Sequence, residues 1–145
     1  MPNLHEILLT DIIKTGNMID NKLKKLLINF DLTPSQYNIL RILKGSQGAG
    51  LSAGEVKSRM LLPTGDLTRI MDKLVSKKLI TRNMCPNHGS RREIAISPKG
   101  IMALSAIADL LENYLNNFYT NLLGISDAEI FLNYLEKLRF ALNDD

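Results

Sequence analysis

The sequence predicts a mainly α fold of the α+β class, with one small β-hairpin set between helices. Three observations predict it. Apolar residues recur at helical spacing over long stretches at both ends of the 145-residue chain. Helix-start signals recur at four points along it. Between residues 79 and 96 the pattern changes to two short β-prone runs around a turn-forming centre.

The first helix is expected from Leu4 to about Phe30. Leu8, Ile12, Ile19, Leu23, Leu26 and Phe30 follow one another at spacings of 4, 7, 4, 3 and 4 residues, which is one continuous stripe. A second helix starts at Thr33-Pro34-Ser35-Gln36. Thr33 is an N-cap, Pro34 takes the first helical position, and Gln36 closes a capping box. Leu32 and Tyr37 sit where a hydrophobic staple places its two residues. This helix should run to about Lys44, with Tyr37, Leu40 and Leu43 or Ile39 inward, until Gly45 and Gly48 break it.

The same box recurs at Ser52-Ala53-Gly54-Glu55 and opens a short helix from Ala53 to Met60. The following turn, Leu61-Leu62-Pro63, is apolar and is expected to pack into the junction. A fourth helix is expected from about Thr64 to Lys77, with Leu67, Ile70, Met71 and Leu74 on one face. Leu79–Met84 and Arg92–Ile96 read as strands, and residues 85–91 between them as a turn with a polar, basic tip. Ser97-Pro98 starts a long helix to about Leu123, striped by Ile101, Leu104, Ile107, Leu111, Leu115 and Phe118 and ended by Gly124. A last box at Ser126-Asp127-Ala128-Glu129 opens a helix from Asp127 to about Asn143. It presents Ile130, Phe131, Tyr134, Leu135, Leu138 and Leu142.

The bulk numbers bound the function. Apolar residues at 45% and charged residues at 23% describe a soluble globular chain of one domain. No apolar run approaches the roughly 18 residues of a membrane span, and the first residues lack a signal-peptide pattern, so a cytoplasmic protein is expected. The single cysteine, Cys85, excludes an internal disulfide and suits a reducing compartment. Cys85 and His88 are spaced like two metal ligands, but no further cysteine completes a set, so no metal or cofactor is expected. Phosphate loops, nucleophile elbows and zinc-protease motifs are absent, so an enzyme is not expected. The net charge of +3 is uneven: residues 51–100 hold ten Lys/Arg against four Asp/Glu, leaving the flanks with an excess of three acids. A basic centre suits an anionic polymer.

Short helix, tight turn, second helix and hairpin is the order of a winged helix-turn-helix. The second helix then enters a major groove roughly 12 Å wide. Its outward face should carry Thr64, Asp66, Thr68, Arg69, Asp72, Lys73 and Ser76 or Lys77. The hairpin tip, with Asn87, His88, Ser90, Arg91 and Arg92, is placed to reach phosphates or the adjacent minor groove. Of these, Thr64, Thr68, Arg69, Lys73, Lys77, His88, Ser90, Arg91 and Arg92 are the candidate DNA contacts. Other roles stay open: Arg69 can pair with Asp72, Asp66 can complement the helix dipole, and the lysines can be solvated surface.

Residues 67–82, from Leu67-Thr68-Arg69-Ile70-Met71-Asp72-Lys73-Leu74 into the first strand, resemble the recognition-helix signature of the MarR family. Ile96-Ser97-Pro98-Lys99-Gly100 resembles the family's Leu-Thr-x-x-Gly. The resemblance implies one domain over 1–145, with dimerisation helices at about 1–32 and 98–145 and a DNA-binding lobe at about 33–97. It implies a homodimer on a palindromic double-stranded operator, repression, and a small-molecule effector in a pocket near Tyr37, Leu40 and Met102. The terminal stripes imply a dimer independently, because one small lobe does not cover them.

There are departures from the pattern. His88 falls at the family's wing Asp and Ser90 at its wing Arg, with Arg91 and Arg92 just beyond. Leu79 stands where a Gly commonly precedes the first wing strand, and Pro63 and Gly65 are unusual before the recognition helix. The alternative reading is a winged-helix interaction module that does not bind DNA.

Overall fold

The computed structural model describes residues 1, 3–85, 88–118 and 121–143. Its elements are α1 (Leu4–Ile28), α2 (Pro34–Gly45), α3 (Ala53–Arg59), α4 (Leu67–Ser76), β1 (Ile80–Cys85), β2 (His88–Ile96), α5 (Pro98–Phe118) and α6 (Ile125–Asn143). The chain divides into two compact units, Met1–Ile107 and Ala108–Asp145.

Caps fix the helix starts of the first unit. In α2 the Gln36 N–H donates to Thr33 Oγ1 at 3.2 Å and the Thr33 N–H donates to Gln36 Oε1 at 3.1 Å. Gln36 is buried, and the bond from the Thr33 N–H satisfies its side-chain oxygen. In α3, Ser52 and Glu55 form the same box. A box that the sequence reading missed opens α1, where Asn3 caps and the Asn3 N–H donates to Glu6 Oε2 at 3.3 Å. At α5, Ser97 Oγ accepts from the Gly100 N–H at 3.1 Å.

The core of this unit is aliphatic. Leu27, Ile39, Leu40, Leu43, Leu74, Ile80, Ile94 and Ile107 are almost wholly buried. β1 and β2 pair antiparallel with Ile80 opposite Ile96 and Arg82 opposite Ile94. Leu51 adds an isolated bridge to Ile94, with backbone bonds of 3.0 and 2.8 Å in the two directions. This bridge pins the entry of α3 to the hairpin.

Along the α1 stripe Ile12, Leu23, Leu26 and Phe30 are half-buried and Leu8 and Ile19 are exposed, so the chain itself leaves much of that stripe uncovered, as the sequence reading expected; the fully buried Leu27 is not one of its residues. Five expectations need correction. The Leu61-Leu62 turn does not pack inward; the two side chains are 78% and 70% exposed. The fourth helix begins at Leu67, three residues later than expected, since Pro63 and Gly65 keep residues 61–66 out of helix. The segment expected as a hairpin turn is mostly strand, because β2 starts at His88, with a register irregularity between Met84 and Cys85. The glycine-favouring position before β1 is Lys78, at φ 61°, and Leu79 is buried. Finally, α6 starts at Ile125, and the Gly124 carbonyl accepts from the Ala128 N–H at 3.0 Å. Gly124 therefore begins α6 rather than ending α5, and Ser126 lies inside the helix.

The second unit holds the end of α5 and all of α6. No described residue of α6 is buried within the chain; Phe131, Tyr134 and Phe140 are 54%, 64% and 72% exposed.

Candidate nucleic-acid interface

The site is built on α4. Leu67, Met71 and Leu74 recur at the spacing of one helix face and are buried, with Ile70 half-buried beside them. Burial of that face turns the opposite one outward, and Thr68, Arg69, Asp72, Lys73 and Ser76 are all exposed on it. The structure thus gathers Thr68, Arg69 and Lys73, as the sequence pattern predicts.

Arg69 is close to free. Its Nη1 lies 3.7 Å from Asp66 Oδ2, and the side chains are 70% and 62% exposed. An ion pair this open is worth little and yields readily to a phosphate or a base edge. Asp66 stands at the N-cap of α4 without a capping hydrogen bond from its side chain, where a carboxylate still complements the helix dipole. Thr64 lies before the helix and is half-buried, and its Oγ1 accepts from the Asp66 N–H at 3.4 Å.

Two residues play parts that the sequence did not reveal. Asp72 pairs with Arg82 at 2.5 Å, not with Arg69. Arg82 comes from β1, is only 21% exposed on its side chain, and also approaches the Thr68 carbonyl at 3.5 Å. It thereby ties the hairpin to the middle of α4. Strand residue and helix residue are ten positions apart, and only the hairpin's register brings them together. Lys77 is turned toward the chain's own body: its Nζ lies 3.2 Å from Asp31 Oδ2 and also donates to the Asp31 carbonyl.

His88, Ser90, Arg91 and Arg92 lie on β2, with Arg92 opposite Met84 and His88 opposite Cys85. Asn87, the remaining tip residue of the sequence reading, lies outside the described residues. Of the residues named for the expected effector pocket, Leu40 is fully buried, and Arg41 lies over the Tyr37 ring with its guanidinium carbon 5.8 Å from the ring centre. Met102 lines a groove of about 490 Å³ with Phe30, Asp31, Lys77, Leu79, Lys99 and Ala103. Among the described residues no group of three His, Cys, Asp or Glu is placed to hold a metal ion. No helix among them is long and apolar enough to cross a membrane.

Helix, turn, helix and hairpin, with an exposed polar face on the second helix, define a winged helix-turn-helix protein. Residues 30–89 match the MarR family model; that segment belongs to the MarR family, and the chain as a whole has the fold of its regulators. Among solved structures, AbsC, a MarR family transcriptional regulator from Streptomyces coelicolor, superposes with a TM-score of 0.86 at 16% identity, covering 100% of this chain and 98% of its own. A mutant of MarR from E. coli, complexed with operator DNA, superposes at 0.77 and 24% identity, covering 94% of this chain and 99% of its own. The organohalide-sensing regulator RdhR, bound to 2,4-dichlorophenol, superposes at 0.82 and 16% identity, covering 97% of this chain and 82% of its own. No curated protein sequence matches this chain.

Proposed function

We propose that this protein is a cytoplasmic, sequence-specific DNA-binding transcription regulator, a homodimer that represses from a palindromic operator and responds to a small-molecule effector. One observation carries the reading: α4 buries Leu67, Met71 and Leu74 and offers Thr68, Arg69 and Lys73 to solvent. The basic hairpin, with Arg91 and Arg92 on β2, follows it directly in the chain. The operator-bound E. coli MarR mutant, with the same fold, supports DNA as the partner.

The dimer is supported by the apolar residues that α1 and α6 leave exposed, among them Leu8, Ile19, Ile130, Phe131 and Phe140. Large uncovered apolar faces mark partner surfaces. A twofold pair sets two recognition helices roughly 34–36 Å apart, one turn of duplex. The groove at Phe30, Leu79 and Met102 offers an apolar wall for an effector, and the ligand-bound RdhR supports an effector of modest size.

The test is selection of DNA from a random pool, followed by binding curves at several salt concentrations. A palindromic consensus is expected, with affinity falling as salt rises at a log–log slope of about −0.9 per neutralised phosphate. Arg69→Ala and Lys73→Ala should each weaken binding while the dimer persists. No enriched sequence and salt-independent binding would favour the interaction-module reading.

A further inference from the structure

Three elements meet at Lys77. It caps the C-terminal end of α4. Its ammonium group donates to both the carboxylate and the backbone carbonyl of Asp31, in the turn after α1. Lys99, from the first turn of α5, donates to the Lys77 carbonyl at 3.2 Å.

Both ends of this tie are rigid turns. Asp31 and Lys78 are left-handed, with φ of 53° and 61°. The Asp31 N–H donates to the Ile28 carbonyl and the Leu32 N–H to that of Leu27; the Lys78 and Leu79 N–H groups donate likewise to Val75 and Leu74. Each pair is a Schellman-type closure, and Leu32 and Leu79, which complete them, are buried. The Lys77 side chain is 28% exposed, well below the 70% of Arg69 on the outward face.

We propose that Lys77 is a positioning residue: held by Asp31, it fixes the C-terminal end of α4 against the turn after α1 and sets the angle at which the helix meets DNA. The inference rests on the reading of α4 as a recognition helix. The competing role for a lysine here is a phosphate contact, and salt separates the two. Losing a phosphate contact lowers the log–log salt slope by about 0.9, because one fewer counterion is released. Losing a tie within the protein leaves the slope alone and weakens binding through lost pre-organisation.

The experiment uses the full chain with its selected DNA and the variants Lys77→Met, Asp31→Asn, the two combined, and Lys77→Arg. Asn removes the charge yet tolerates left-handed backbone as Asp does. Because the Asp31 side chain is 92% exposed, each single change to Met or Asn is expected to weaken binding by about two- to fivefold, the range of an exposed ion pair. The combination should lose no more than Lys77→Met alone, the slope should stay constant, and Lys77→Arg should retain most of the affinity. Without DNA, amide exchange at Lys78 and Leu79 should quicken in both single variants. A slope reduced by about 0.9 in Lys77→Met, with Asp31→Asn binding normally, overturns the proposal in favour of phosphate contact. Unchanged amide exchange in both variants overturns the tie itself. Should the wild-type chain select no DNA, the DNA-binding reading fails, and amide exchange still decides the tie.

Discussion

Replacing Gly100 with alanine should destabilise the protein by about 2 kcal/mol, and the structure supplies the reasoning. A Cβ at Gly100 would stand 2.3 Å from the Leu79 carbonyl oxygen and 2.7 Å from Ile96 Cγ1, inside the 3.0 Å that real Cβ atoms respect. The obstacle is backbone and is held fast. The Leu79 carbonyl accepts from the Ser97 N–H at 3.0 Å, and Ser97 Oγ donates to the Lys78 carbonyl at 2.6 Å while accepting from the Gly100 N–H. Overpacking of this kind costs about 1–3 kcal/mol, at the upper end where backbone must move. Alanine returns up to about 1 kcal/mol through helix propensity. Gly16 is the matched control, because it lies in α1 with nothing within 4 Å of its added Cβ, so Gly16→Ala should stabilise by about 1 kcal/mol. Urea unfolding at one fixed protein concentration reads both, with the m-value unchanged. Equal effects of the two alanines would refute the argument that the Ser-x-x-Gly sequence is set by the approach of α5 to the end of the α4–β1 turn.

Other substitutions probe the rest of the design. Lys78→Gly removes a side chain from a left-handed position at φ 61° and should raise stability by about 1 kcal/mol, seen as a higher urea midpoint. Arg82→Met breaks the 2.5 Å pair with Asp72; a stability loss of about 1 kcal/mol or less is expected, since Asp72 is 59% exposed, together with weaker DNA binding by fluorescence anisotropy. Phe131→Glu places a charge on the open face of α6 and should dissociate the proposed dimer in sedimentation while leaving the circular dichroism of the chain intact.

What the sequence made legible was local. Thr33 with Gln36 and Ser52 with Glu55 announced their helices because a cap and its reciprocal acceptor sit three residues apart. The same logic failed at Ser126, because the Gly124 carbonyl takes the first helical bond and draws the start of α6 forward to Ile125. Periodicity placed the buried face of α4 correctly, since Leu67, Met71 and Leu74 have the hairpin and α2 to lie against. On α1 it marked a stripe that the chain covers only in part, because an apolar stripe states what a helix would bury and not whether the same chain supplies the cover. The residues missed at the site depend on distance in sequence: Arg82 meets Asp72 only through the hairpin, and Lys77 meets Asp31 across 46 positions. No local pattern carries such pairs.

The placement of those long-range pairs follows a division of labour along α4. Leu67, Met71 and Leu74 hold the helix from beneath, Arg82 grips it at Asp72, and the Lys78 turn with Lys77 fastens its end. The basic side chains spent on ion pairs around α4 are the half-buried ones, Arg82 at 21% and Lys77 at 28% exposure, whereas Arg69 at 70% keeps only a loose 3.7 Å partner. In the proposed function α4 is the recognition helix, and that role needs this asymmetry. A side chain that reads a base edge gains affinity when its backbone is already in place, since ordering the helix at the moment of binding would subtract from every contact it makes. A single exposed arginine on a firmly held helix therefore carries more discrimination than several on a loose one, and substitutions beneath α4 should act on DNA affinity without touching DNA.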